Sequence, residues 1–298
     1  MPLVYRPARA DDLERADALT VGSINDLTER HGFGPMAAVS PPQLLSFSLQ
    51  DDPDGLWVAE DDGEMRGFAF SWVCGDLWFL AQLFIAPDQQ GRGIGGELIK
   101  RTLAHGDNAG AGKRALITFT FNRVSQGLYI RHGLFPRFPV YFLSVARERL
   151  AGLPDSPLRA VPMSSTAHAL DVAAIDRAAL GVTRAKHPAY LLGDDATKGV
   201  MLCAGEDYAG YAYISRGGHI GPLAVARADL AGPAFAAALN LAAAGTSAQV
   251  SAFIPGSAEA PLSLAVERGM RITFPMVLMT NGEFGDWRCY LPRNPGFM

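Results

Sequence analysis

A cluster of glycines between two regular segments is the feature of this sequence with the clearest chemical potential. It reads Gln90-Gly91-Arg92-Gly93-Ile94-Gly95-Gly96 and lies between an apolar, strand-like run and an amphipathic helix pattern. Glycines let the backbone approach a ligand closely, and the first N–H groups of a helix carry the positive end of its dipole. Arg92 adds a guanidinium that can bind two phosphate oxygens. The segment therefore predicts a pyrophosphate-binding loop.

Two other phosphate-binding motifs fit this region less well. Three of the glycines match G-x-G-x-x-G, but a dinucleotide site also needs an acidic residue about twenty positions further on. The strand pattern at residues 115–121 contains none. Gly112-Lys113 is not a P-loop, because Arg114 stands where a Ser or Thr must bind magnesium. A simple tight turn into a helix would need only one glycine.

The elements that must position this loop follow from hydrophobic periodicity. Strand patterns cover residues 3–5, 56–60, 65–73, 77–85, 115–121 and 140–145, and helix patterns lie within 9–29, 93–105 and 124–132. Asp-Asp-Gly and Cys-Gly-Asp turn signals join the three strands from 56 to 85, so these strands should be antiparallel. The order predicts an α/β (α+β) fold.

Composition limits the function classes. The 298 residues suffice for two domains, 49% of them are hydrophobic, and the net charge of -4 offers no broad attraction for nucleic acid or an anionic membrane. No signal-like start and no membrane-spanning run is present, so we expect a cytoplasmic protein. Cys74, Cys203 and Cys289 lie far apart with no neighbouring His at ligand spacing, so no metal site is expected.

The chain also shows a weak internal repeat. RHGLFPRFPVYFL, starting at Arg131, and ERGMRITFPMVLM, starting at Glu267, both place a Gly five residues before Phe-Pro. A loose second echo relates residues 77–91 to 219–232. Pro154, Pro157 and Pro162 interrupt regular structure between the two halves. We therefore predict a tandem duplication, with domains at 1–150 and 163–298 joined by a linker at 151–162.

Two blocks of the first half resemble the GNAT N-acetyltransferase superfamily. Gln90 to Gly95 is similar to its Q/R-x-x-G-x-G/A acetyl-CoA signature, and residues 122–135, NRVSQGLYIRHGLF, resemble its N-x-x-A-x-x-L-Y-x-x-x-G-F block. Leu134 stands where Phe would follow Gly133. The resemblance covers residues 1–150 and implies tandem GNAT folds, each with a mixed, mostly antiparallel central sheet flanked by helices, the second being a degenerate copy.

The resemblance also implies a cofactor site. Backbone groups of Leu83, Phe84 and Ile85 would pair with the pantetheine arm of acetyl-CoA like an added strand. The loop residues Gln90, Gly91, Arg92, Gly93, Ile94, Gly95 and Gly96 would hold its pyrophosphate. Asn122 would reach the same arm, and Tyr129 would face the sulfur. No metal is implied.

Tyr129 is the catalytic candidate. An ordinary Tyr has a pKa near ~10 and a thiol one near ~8.5, so Tyr129 is protonated at neutral pH and can protonate a departing thiolate. Its alternative role is a core aromatic on an amphipathic helix. No general base is assigned, because Gln82 is the only polar side chain in residues 77–85. Glu60, Asp76 and His132 are the remaining possible proton acceptors.

The second half lacks both signatures. Residues 226–232 have no glycine cluster, and Ala265 stands opposite Tyr129 when Glu267 is matched with Arg131. We expect this half to bind no acetyl-CoA, and to wall the acceptor pocket or form a subunit contact, so a homodimer is compatible with it. Polar residues that could contact an acceptor or form a surface helix face are Asp176, Arg177, Arg184, His187 and Tyr190.

Three functions remain in competition. The first is an acyl-CoA N-acyltransferase (EC 2.3.1.-) that acetylates a small-molecule amine by direct transfer. The second is a non-catalytic acyl-CoA sensor or interaction module, and the third, a nucleotide-dependent oxidoreductase, lacks the ribose-binding acid. Four aromatic residues could floor an apolar acceptor site or pack in the core: Trp57, Trp72, Trp78 and Phe79.

Overall fold

The computed structural model describes residues 3–150 and 152–298. These residues form two compact units. The first contains the chain up to Phe135 together with Met279–Gly282, and the second contains Pro136–Leu278 and Glu283–Met298.

The first unit is a five-stranded sheet with helices. Its strands are β1 (Val4–Pro7), β2 (Leu56–Asp61), β3 (Glu64–Cys74), β4 (Leu77–Ile85) and β5 (Lys113–Phe119), and its helices are α1 (Leu13–Arg30), α2 (Gln43–Asp51), α3 (Ile94–Asn108) and α4 (Arg123–Arg131). The strands lie in chain order. All neighbours are antiparallel except β4 and β5, which are parallel. The predicted antiparallel hairpins are confirmed, and Asp62 and Gly63 have the positive φ angles of a tight turn.

Helix α3 packs on this sheet as its periodicity predicts. Its buried face comprises Ile94, Leu98, Ile99, Thr102 and Leu103, together with His105 and Gly106. Gly67 of β3 makes the contact possible, because a Cβ there would lie 2.9 Å from atoms of both Leu98 and Ile85. The close packing fixes the N-terminus of α3 beside the end of β4.

The second unit repeats the arrangement. Its strands are β6 (Phe135–Ala146), β7 (Arg159–Pro162), β8 (Thr197–Ala204), β9 (Asp207–Ser215), β10 (His219–Val225), β11 (Gln249–Pro255), β12 (Arg271–Thr280) and β13 (Tyr290–Leu291), and its helices are α5 (Ala169–Leu180), α6 (Lys186–Leu192), α7 (Ala231–Ala243) and α8 (Glu259–Glu267). The order is β12-β6-β11-β10-β9-β8-β7, with β13 also paired to β10. Strands β10 and β11 are parallel, like β4 and β5.

The repeat seen in the sequence is also present in the structure. Helices α4 and α8 match at both ends, with Arg123 equivalent to Glu259 and Arg131 equivalent to Glu267. The same offset relates both ends of β5 to those of β11. Gly133 and Gly269 follow the two helices with φ angles of 77° and 83°. We call β1–β6 with α1–α4 the first copy, and β7–β12 with α5–α8 the second copy.

The compact units do not divide the chain at the predicted linker. Strand β6 pairs with β11 from Val140 to Ala146, which places it in the second unit. Conversely, Asn281 follows β12 in the chain but belongs to the first unit. Its backbone N–H donates to the carbonyl oxygen of Arg114 at 3.1 Å. The segment predicted as linker also contains β7, which pairs with β8. Met1, Pro2 and Ala151 lie outside the described residues, and the domain boundaries remain a prediction.

Candidate functional site

One edge of β4 is open at the end of the strand. The parallel register with β5 runs from Leu77, opposite Lys113, to Leu80, opposite Leu116. Within the described parts of the chain, residues 81–85 have no strand partner on that side. Side chains at 77–80 are buried, whereas those at 81–85 are only half-buried. The two strands therefore separate at their carboxyl ends, where ligands bind in parallel sheets.

The hydrogen-bond alternation of an antiparallel pair determines which residues face this open edge. Ala86 donates its N–H to the carbonyl oxygen of Arg66 at 3.0 Å, so the neighbouring pair, Ile85 and Gly67, is a non-hydrogen-bonded pair. By the same alternation Phe84 bonds to β3, while Leu83 does not. The backbone N–H and C=O groups of Leu83 and Ile85 thus point toward the open edge. The Ile85 carbonyl accepts bonds from Ser23 Oγ at 3.2 Å and Gln90 Nε2 at 3.3 Å.

The glycine loop follows this edge directly. Gly91 and Gly93 have φ angles of 80° and 82°, which favour glycine, and Gly93 is the N-cap of α3. No side chain of the described residues caps the helix, so its first N–H groups are offered to a ligand. A Cβ at Gly91, Gly93 or Gly96 would meet no described atom within 4 Å. The exposed Arg92 guanidinium hydrogen bonds to Gln89 Oε1.

Helix α4 lies close to α3 and the end of β4. A Cβ built at Gly95 would be 3.5 Å from Leu128 Cδ2 and 3.7 Å from Ile85 Cγ1. Asn122 is the N-cap of α4, and its Oδ1 accepts the Ser125 N–H at 3.2 Å. The Nδ2 amide of Asn122 and the second lone pair of its Oδ1 are the groups that a ligand could contact.

Tyr129 lies on the buried side of α4, where it is 5% exposed. Burial raises the pKa of the Tyr129 phenol, and a side-chain hydrogen bond with Ser125 opposes that increase. The phenol therefore keeps its proton at neutral pH, as a proton donor must. The sequence motif gave no sign that Ser125 is a partner of Tyr129.

Two of the possible general bases are engaged in ion pairs. Glu60 accepts a hydrogen bond from Arg6 at 2.7 Å, which lowers the pKa of its carboxyl group. Asp76 pairs with Lys113 at 2.7 Å. Burial, Lys100 and Arg131 lower the pKa of His132, so its imidazole is neutral at neutral pH. Gln82 Oε1 is buried and has no hydrogen-bond partner among the described residues.

Two further groups of side chains belong to the core of the first unit. Trp72, Trp78 and Phe79 are buried, so they do not floor an acceptor site, while Trp57 is half-buried.

Ser71 Oγ lies 3.0 Å from His105 Nδ1, and His105 Nε2 lies 2.8 Å from an oxygen of Asp52. This set resembles a nucleophile, base and acid, but Ser71 is 0% exposed and no substrate can reach it.

The second copy has neither the loop nor the tyrosine. Helix α7 begins after Leu230, the residues directly before it include no positive-φ glycine, and the ion pair of Arg227 with Asp229 is exposed at this turn. Ala265 of α8 is buried.

Three of the five polar residues considered as acceptor contacts in and between α5 and α6 are buried. Asp176 and Arg184 do not form the expected surface or contact face: they are 1% and 2% exposed and pair at 2.8 Å inside the unit. His187 is also buried, and Tyr190 is half-buried, whereas Arg177 is exposed.

Two other kinds of site are absent from residues 3–150 and 152–298. None of the helices there has the length and apolar character needed to cross a membrane. In the same residues, no group of three or more His, Cys, Asp and Glu side chains could hold a metal ion.

Comparisons with known proteins show a family and a fold that this chain resembles. The model of the Acetyltransferase (GNAT) family matches residues 24–134. An uncharacterized N-acetyltransferase of Archaeoglobus fulgidus is 34% identical over 20% of this chain and 46% of its own length, so the match spans about half of that relative. A proposed acetyltransferase of Pyrococcus horikoshii superposes with a TM-score of 0.77 at 19% identity, over 99% of this chain and 96% of its own. A tandem GNAT protein from the clavulanic acid biosynthesis pathway gives 0.63 at 16% identity, over 95% and 99%. These structures share the fold of this chain.

Proposed function

Residues 24–134 of this chain belong to the acetyltransferase (GNAT) family, and from this premise we propose that it is an N-acetyltransferase acting on a small-molecule amine. The donor is acetyl-CoA, bound in the first copy. The observation that supports the proposal is the open edge of β4 at Leu83 and Ile85, which leads directly into the glycine loop at the N-terminus of α3. An extended amide-containing arm and a pyrophosphate would find complementary groups there, in that order.

The residues present fit such a donor. The backbone groups of Leu83 and Ile85 would bond the pantetheine arm as a strand bonds a neighbour. The N–H groups at Gly91–Gly96 and the start of α3 would hold the pyrophosphate, with Arg92 adding a positive charge. Acetyl-CoA supplies an activated thioester when bound.

Tyr129 acts as general acid in this proposal. The amine attacks the thioester carbonyl, the C–S bond breaks, and Tyr129 donates its phenolic proton to the departing sulfur. The amine releases its own proton to water, because the only polar side chain of β4 is the neutral Gln82. Tyr129 then regains a proton from solvent, so the chain returns to its starting state.

A sensor that binds acyl-CoA without turnover is the second candidate. It is favoured by the absence of a carboxylate from the sequence of β4 and by the engagement of Glu60 and Asp76 in ion pairs. Binding and turnover must therefore be measured separately.

The test is calorimetric titration with acetyl-CoA, followed by release of free thiol over a panel of amines. Gly93→Glu should abolish binding for two reasons. It adds a negative charge at the proposed phosphate site, and it forces a residue with a side chain into the positive φ of Gly93. Gly22→Glu is the matched control, because a side chain at this exposed position of α1 has open space. Equal binding by both variants would refute the proposed site. Binding by the unmodified chain without thiol release from any amine would favour the sensor.

A further inference from the structure

The hydrogen bonds of the two copies define which residues correspond. Ala226 donates its N–H to the carbonyl oxygen of Ala209 at 2.9 Å, as Ala86 does to Arg66 at 3.0 Å. Val225 lies opposite Gly210 in β9, as Ile85 lies opposite Gly67 in β3. Val225 of the second copy therefore corresponds to Ile85 of the first.

A register irregularity extends the correspondence along the strand. In β4 the partners shift between Leu80 and Gln82, and in β10 they shift between Ile220 and Leu223. Both shifts lie just before the last three residues of the strand. Leu223, Ala224 and Val225 thus correspond to Leu83, Phe84 and Ile85.

In the second copy another strand occupies this edge. The parallel register of β10 with β11 covers only His219 and Ile220. Beyond it, β13 pairs antiparallel with β10, with Leu291 opposite Leu223 and Tyr290 opposite Ala224. Val225 donates its N–H to the Cys289 carbonyl oxygen at 2.9 Å. The chain's own C-terminal segment therefore takes the place that is open in the first copy.

The segment continues along β10 toward the irregularity. A Cβ at Gly221, whose φ is 147°, would lie 2.7 Å from the Pro292 carbonyl oxygen, so only glycine fits the approach. Arg293 Nη1 donates to the Gly221 carbonyl oxygen at 3.1 Å. His219 Nε2 lies 2.5 Å from the Arg293 carbonyl oxygen.

Residues 290–298 also contribute side chains to the core of the second unit. Tyr290, Leu291, Phe297 and Met298 are all buried. The Tyr290 hydroxyl lies 2.5 Å from Nη1 of the buried Arg184. These buried side chains and the hydrogen bond to Arg184 hold the strand beside β10.

We infer that the separation between β10 and β11 is a strand-binding cleft whose ligand is the chain's own segment 289–293, held where the first copy would hold the pantetheine arm. This inference goes beyond the proposed function. It has one consequence that rests on that function: each chain binds one acetyl-CoA, because segment 289–293 already fills the equivalent cleft of the second copy. In the second copy a peptide strand thus bonds to backbone groups equivalent to those that the proposed function assigns to the pantetheine arm.

Residue-resolved amide hydrogen exchange on the full chain tests the inference, with Ile85 and Val225 as a matched pair. Without ligand, the Val225 amide should exchange at least about 100-fold more slowly than that of Ile85, because Val225 is bonded to Cys289. Saturating acetyl-CoA should protect Ile85 and leave Val225 unchanged. Equal, fast exchange of both amides in the free chain would overturn the inference. Failure of acetyl-CoA to protect Ile85 would count against the proposed function alone.

A pair of glycine variants provides a second test. Gly221→Ala forces a methyl group against Pro292 and should accelerate exchange at Leu291 and Val225 by about tenfold or more. Gly217→Ala is the control, since its Cβ would meet only Ser215 Oγ, at 3.6 Å, among the described atoms. Equal protection of Leu291 in the two variants, or two acetyl-CoA molecules bound per unmodified chain, would contradict the inference.

Discussion

Tyr129 and Ala265 occupy equivalent positions in the two copies. Each accepts, through its backbone carbonyl oxygen, the bond that closes its helix: from the Leu134 N–H at 3.1 Å and from the Met270 N–H at 2.9 Å. The backbone geometry is the same in both copies, but the side chain is a phenol in one and a methyl group in the other. If the side chain at this position only packs, either a tyrosine or an alanine can occupy it. If it transfers a proton, the hydroxyl of Tyr129 is required.

Tyr129→Phe separates these roles. The ring still fills its buried site, so acetyl-CoA affinity should stay within about twofold, while kcat should fall about 100-fold because the proton donor is lost. Steady-state thiol release and calorimetry measure the two effects. Tyr208→Phe, at an exposed ring of the second unit, is the control. Full activity of Tyr129→Phe would exclude the phenol as general acid.

Gly93→Ala and Gly96→Ala should have opposite effects on stability. Gly93 has a φ of 82°, where a Cβ costs about 1–2 kcal/mol. Gly96 lies in α3 with open space around a Cβ, so alanine should stabilise the unit by about 0.5–1 kcal/mol. Chemical denaturation of each variant gives the free energy of unfolding. Equal shifts for the two variants would show that the φ of Gly93 is not constrained.

Arg184→Met should destabilise the second unit by about 3–5 kcal/mol, because it leaves the buried Asp176 carboxylate without its guanidinium partner. Burial opposes the charged form of Arg184, while Asp176 raises its pKa well above the ordinary value. Arg177→Met, at an exposed position of α5, is the control and should change stability little. Acetyl-CoA binding measured below the unfolding transition should be unchanged. A loss under about 1 kcal/mol would mean that water replaces the guanidinium.

His219 should make the second unit sensitive to acid. Burial lowers the pKa of His219 to about 4, despite its bond to the Arg293 carbonyl oxygen, and the Arg293 charge lowers it further. An unfolded His has a pKa near ~6.5, so between about pH 6.5 and 4 the unfolded chain binds the extra proton. His219 therefore makes its full contribution to the free energy of unfolding above about pH 6.5. That contribution falls as the pH is lowered, by up to ~1.4 kcal/mol per pH unit.

Denaturation of His219→Gln across this pH range checks the expectation. The variant should show a shallower dependence of stability on pH than the unmodified chain, because it lacks the group that takes up the proton on unfolding. His168→Gln, which removes a half-buried imidazole of the same unit, is the control and should keep the steeper slope. Identical slopes for His219→Gln and the unmodified chain would show that other groups cause the acid sensitivity.

The glycine loop, the bounds of β4 and the buried face of α3 could all be predicted from the sequence. Each depends on local chemistry: positive φ requires glycine, and apolar residues at a period of two or 3.6 indicate a strand or a helix. The repeat was also readable, since Gly133 and Gly269 end equivalent helices. Helix α2 was missed, because its short apolar run between proline and aspartate residues gave no clear helical period.

The sequence by itself determined most of the elements of the first half, the glycine loop between β4 and α3, and the lack of such a loop in the second half. Only the tertiary structure decided that Trp78 is core, that Arg184 is buried against Asp176, and that Tyr290–Leu291 forms a strand on β10. Burial and strand pairing depend on partners distant in the chain, and so short a strand has no periodicity of its own. The same backbone edge is open in one copy and filled in the other because a segment near the C-terminal end of the chain reaches it.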